Sequence, residues 1–75
     1  KPDPAIFELA LAALNATPAN TWMVGDHLEW DIAGAQGVGM AAVWFNPDNA
    51  TLPAGSTPDY VITTLSQLPG LFESA

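Results

Sequence analysis

Seventy-five residues is about half of a typical domain, and the chain is 49% hydrophobic with only 12% charged residues, where soluble domains average about 25% charged. One lysine stands against eight acidic residues, a formal net charge of −7, so a basic patch for nucleic-acid backbones or anionic membrane surfaces is excluded. There is no cysteine, which removes disulfides and thiolate metal centres and favours a reducing, cytoplasmic compartment.

Asp3-Pro4 pairs an acidic N-cap with proline at the first helical position, and Ile6, Leu9, Ala10, Ala13 and Leu14 follow at helical spacing. The pattern predicts a helix over 4–14. Thr17-Pro18 marks a turn within 15–20. Trp22-Met23-Val24 is apolar without alternation, as in a short strand covered on both faces, and Gly25-Asp26 ends it. His27 to Trp30 reads as a loop leading to Asp31. The stretch from Asp31 to Gly39, rich in small residues, then predicts a short helix packed close to a sheet and closed by Gly37 or Gly39.

Met40 to Phe45 is an unbroken apolar run, unsurpassed in length in the chain, strand-sized and far short of the ~20 residues that span a bilayer. Asn46-Pro47-Asp48-Asn49 stops it, 51–59 is a polar loop, and Tyr60-Val61-Ile62 makes a third strand. Thr64 and Gln67 have capping-box spacing before apolar Leu65, Leu68 and Phe72, while Pro69-Gly70 predicts two short turns instead of one clean helix. Helices alternating with buried strands specify an α/β fold with a parallel sheet. About three strands is below the usual ~4–6, so the chain reads as half of a Rossmann-like sheet, incomplete as given.

In open α/β sheets, ligands sit outside the carboxyl ends of the strands. Asp26 falls at such an end and Asp31 five residues later, with Gly25 letting the backbone turn sharply. Two carboxylates there suit Mg²⁺, which takes one or two carboxylates plus waters and phosphate oxygens. The plainer alternative makes Asp26 a turn residue and Asp31 a helix N-cap. His27 could touch substrate or be only locally hydrogen-bonded. Trp22 and Trp44 read as core, whereas Trp30 could line the site or pack under a covering domain. Glu29 reads as solvated.

Lys1-Pro2-Asp3-Pro4-x-Ile6-Phe7, Val24-Gly25-Asp26-x4-Asp31-Ile32-x-Gly34-Ala35, Gly39-Met40, Trp44-Phe45-Asn46 and Pro58-Asp59-Tyr60-Val61-Ile62 occur in this order. In them the chain resembles, over nearly its whole length, the C-terminal half of the core domain of haloacid dehalogenase-like (HAD) hydrolases, most of which are magnesium-dependent phosphatases. The resemblance implies that residues 1–75 are the C-terminal part of one such core domain. Lys1 would then be the catalytic lysine that neutralises the transferred phosphoryl group. Asp26 and Asp31 would be the acidic pair holding Mg²⁺, and His27 and Trp30 could meet the substrate, a small phosphorylated metabolite.

The family's nucleophile, the first Asp of an Asp-x-Asp pair, lies upstream of its lysine, and no Asp-x-Asp occurs here. The resemblance therefore implies a partner half carrying the nucleophile strand and the cap domain, and it implies that the 75 residues alone are inactive. Gln36-Gly37-Val38-Gly39 departs from the alanine that relatives commonly carry before the last glycine. Two other readings stay open. One is a metal-independent dehalogenase relative, and the other is a non-catalytic interaction or receiver-like module, although in a receiver the acidic pair precedes the lysine.

Overall fold

The computed structural model describes residues 4–74. Helix α1 spans Pro4–Ala13, strand β1 Trp22–Gly25, helix α2 Gly34–Gly37, strand β2 Ala41–Phe45, strand β3 Tyr60–Ile62 and helix α3 Leu68–Ser74. Proline opens α1, where its missing N–H is not needed, and the N-cap expected at Asp3 lies outside the described residues. Asn15, at φ 54°, turns the chain out of α1, and a 3₁₀ turn at Pro18–Asn20 leads into β1.

The three strands form one parallel sheet in the order β1-β2-β3. Trp22 pairs with Ala41 and Gly25 with Trp44, while Val43 pairs with Tyr60 and Phe45 with Ile62. Side chains alternate across a strand, so Met23, Gly25, Ala42 and Trp44 share one face. There Ala42 and Trp44 join Leu11, Ile32, Ala35 and Met40 in the buried cluster, with Phe7, Met23 and Leu28 packed against it. Ala35 and Ala42 are both fully buried, and their small side chains let the helical layer approach the sheet. On the other face Trp22 stacks on Tyr60 at 4.9 Å between ring centroids and meets Phe72 of α3 at 4.8 Å. Helices thus cover both faces, as a parallel sheet requires.

Several expectations are corrected. The stretch 27–30 is not a loop: a π-helical turn, Leu28–Ala33, runs directly into α2. The residues of α1 that face the core are Phe7 and Leu11, whereas Ile6, Leu9 and Leu14 stand 65–71% exposed. The last segment does divide into two short elements, a 3₁₀ turn at Leu65–Gln67 and α3, but Pro69 falls in the first turn of α3 and does not break it. The side chain of Gln67 accepts there from the main-chain N–H of Thr63 and Thr64, at 2.6 and 2.9 Å. Strand β1, expected to be covered on both faces, is half-buried along its length and pairs only with β2 among the described residues.

Asp59 joins β2 to β3 below the pairing. Its N–H donates to the Ala42 carbonyl at 3.0 Å, and its carboxylate accepts from the Ala42 N–H at 2.8 Å and from Gln36 Nε2 at 3.1 Å. Ala42 is fully buried, so loss of that acceptor strands an amide away from water. Asp59→Ala is therefore expected to lower stability by about 1–3 kcal/mol. Asp59→Asn, which keeps an oxygen acceptor, should cost less, as read by urea denaturation of the intact gene product.

Candidate active site

The site candidates collect where β1 ends. Asp26 follows the last residue of β1 and is exposed. The chain then returns over its own strand end. The N–H groups of Asp31 and Ile32 both donate to the His27 carbonyl, at 2.8 and 3.2 Å, so the helical run starts wider than an α-helix and carries Asp31 back above β1. There the Asp31 carboxylate accepts from the His27 N–H at 3.2 Å.

This return is possible only because residue 25 has no side chain. A Cβ on Gly25 would lie 2.5 Å from Asp31 Oδ2, 2.6 Å from its Cβ and 2.7 Å from its Cγ. Gly25 is needed here for close approach, beyond the sharp turn expected of it. Asp31, half-buried, also sits early in the helical run, where backbone N–H groups favour negative charge.

His27 caps that run. Its Nδ1 accepts from the Trp30 N–H at 3.0 Å, and the two rings stack at 5.0 Å. With Nδ1 accepting, the proton of the neutral ring sits on Nε2. The cap is thus His27, and Asp31 is not the N-cap of the plainer alternative. Histidine is outside the usual N-cap set of Ser, Thr, Asp and Asn, so the sequence carries no signal for it. Trp30 is 56% exposed. With Ile6, Phe7, Ala10, Met23 and Asp31 it lines an open apolar groove of about 350 Å³ between α1 and β1.

Trp44, 6% exposed, donates its indole N–H to the Asp26 carbonyl at 3.0 Å. Sequence reading placed Trp44 in the core and missed this bond, which depends on the register of β1 and β2. Lys1 lies outside the described residues. Glu29 is exposed. Among the described residues no group of three or more His, Cys, Asp and Glu gathers as a metal site. Asp26 and Asp31 supply hard oxygen donors on one strand end, which fits a cation that keeps most of its waters. Also among the described residues, no helix is long and apolar enough to cross a membrane.

The family model described as HAD-hydrolase-like matches residues 1–68. The chain is 46% identical, over 97% of its length, to glyceraldehyde 3-phosphate phosphatase of Pyrococcus furiosus, of which it covers 32%. Its structure is similar to that of a 2-haloacid dehalogenase from Pseudomonas syringae, with a TM-score of 0.90 and 43% identity, covering 96% of this chain and 31% of that one. It is also similar to a HAD-hydrolase from Bacillus subtilis bound to magnesium, with a TM-score of 0.84 and 27% identity, covering 92% of this chain and 31% of that one. The chain spans about a third of the length of these relatives.

The contact at residue 25 can be measured. Gly25→Ala must push against atoms fixed near the Asp31 backbone, and overpacking of this kind costs about 1–3 kcal/mol. In an Asp31→Gly background the three atoms nearest the new methyl are gone, and its cost should fall below about 1 kcal/mol, a coupling that a double-mutant cycle reads in urea denaturation.

Proposed function

From the premise that the chain belongs to the HAD-like hydrolase family, we propose that residues 1–75 are the C-terminal part of the core domain of a magnesium-dependent phosphatase acting on small phosphorylated metabolites. The observation that carries this reading is that the Asp31 carboxylate is seated on Gly25 and accepts from the His27 N–H, which brings it back to the carboxyl end of β1 where Asp26 leaves the strand. A phosphorylated substrate brings negative charge to a chain of formal charge −7 whose only basic side chain other than His27 is Lys1. Like charges at 4 Å oppose one another by about 4 kcal/mol at an effective dielectric near 20. A phosphatase built on this acidic pair therefore needs a cation between substrate and protein.

In this reading Asp26 and Asp31 hold Mg²⁺, and the Bacillus subtilis neighbour, described as bound to magnesium, supports the choice of metal. When bound, the ion offsets charge on the phosphoryl oxygens. Lys1, matched to the family's lysine, supplies a second positive charge against the phosphoryl group. The nucleophile is an upstream aspartate in the preceding half of the fold, which forms an aspartyl-phosphate. The 75 residues alone are accordingly inactive.

The second reading is dehalogenation, favoured by the similarity to the Pseudomonas syringae enzyme. That chemistry has no phosphoryl charge to offset and leaves the acidic pair without a task. The two separate in one assay of the intact gene product, with p-nitrophenyl phosphate and 2-chloropropionate offered with and without Mg²⁺. Magnesium-dependent phosphate release is expected, and halide release without metal would replace the phosphatase reading. Asp26→Asn should lower kcat/KM for the phosphate ester by at least about 100-fold, the scale of losing one electrostatic stabiliser, with little change in thermal midpoint. Lys1→Met should slow single-turnover hydrolysis far more than it destabilises the protein, and unchanged kinetics would remove the catalytic role of Lys1.

A further inference from the structure

Two hydrogen bonds described above meet on one peptide group. The carbonyl of Asp26 accepts from Trp44 Nε1 at 3.0 Å, and the N–H of the same peptide, on His27, donates to Asp31 Oδ2 at 3.2 Å. A trans peptide is planar, with its C=O and N–H pointing in opposite directions. The peptide between residues 26 and 27 is thus clamped from both ends, by the buried core on one side and by the Asp31 carboxylate on the other.

We propose that Trp44 is a positioning residue for the acidic pair, acting through this single peptide on Asp26 and Asp31 together. The inference rests on the proposed role of the pair in holding Mg²⁺. Trp44 is suited to the task because it cannot easily move. It is 6% exposed, packs in the same cluster as Ile32 and Ala35, and sits opposite Gly25 in the β1–β2 register. A buried indole N–H needs an acceptor, and among the described residues the Asp26 carbonyl supplies it.

Fixing that carbonyl sets the rotation of the peptide plane. The plane sets where the Asp26 side chain leaves the strand, and it aims the His27 N–H at Asp31. Donation into the carbonyl also polarises the peptide and strengthens what its N–H offers to the carboxylate. A metal pair whose two members hang on one plane loses both orientations together when that plane turns. Trp44 touches neither substrate nor metal in this account.

The test replaces the indole N–H and leaves the shape. Trp44→3-benzothienylalanine puts sulfur in place of the N–H at nearly constant volume, and Trp44→Phe serves as a second variant. Mn²⁺ binding to the intact gene product is followed by electron paramagnetic resonance, with hydrogen exchange of the His27 amide measured alongside. Loss of one net hydrogen bond predicts a dissociation constant raised about 3- to 10-fold and faster exchange at His27, at a nearly unchanged thermal midpoint. Unchanged Mn²⁺ affinity in the benzothienyl variant overturns the proposal, whatever Trp44→Phe does to folding. A wild type that binds no Mn²⁺ refutes the metal reading instead. His27 exchange then decides the role of Trp44, and an unchanged rate overturns it.

Discussion

The carboxyl end of the sheet is organised around an atom that is not there. Asp31 occupies the space a Cβ of residue 25 would need, and this sets how the chain must leave β1. It turns at Asp26, reverses within His27 and Leu28, and enters a helical run wide enough for two N–H groups to share the His27 carbonyl. The carboxylate of Asp31 stays over Gly25, and α2 continues from this run onto the buried face of β2.

Much of this architecture is legible in the residues. The apolar runs 22–24, 40–45 and 60–62 become the three strands, and the small residues around Ala35 mark the close helix-to-sheet contact. What the sequence hides has physical reasons. A π turn of six residues differs too little in period from an α-helix to show in hydrophobic spacing. His27 is a cap only because its Nδ1 faces the Trp30 N–H, a matter of tautomer and geometry. The apolar stripe of α1 is ambiguous because Phe7 and Leu11 compete with Ile6, Leu9 and Leu14 to face the sheet, and packing decides between them. Trp44 reads as core from its strand, but its bond to Asp26 needs the register as well.

Apolar surface remains uncovered on one side of the described chain. Ile6, Leu9 and Leu14 stand exposed on α1, the groove between Ile6, Met23 and Trp30 is open, and β1 is an edge strand among the described residues. Such an edge carries main-chain donors and acceptors ready for another strand. The proposed upstream half would meet both features at once, completing the sheet and covering the groove. The low charged fraction of the sequence has a reason in this view, since much of the surface is interior in the larger fold.

The parallel sheet also orders events in time. The contacts that shape the acidic turn are local, joining residues six or fewer apart, and turns and helical segments of this size form within about a microsecond. The bond from Trp44 to Asp26 spans 18 residues, and β1 meets β2 only after the intervening chain has closed on itself, at an entropic cost that precedes any reward from pairing. A chain emerging from the ribosome therefore presents its carboxylate turn well before β2 exists to orient it. The acidic pair is assembled early and aligned late.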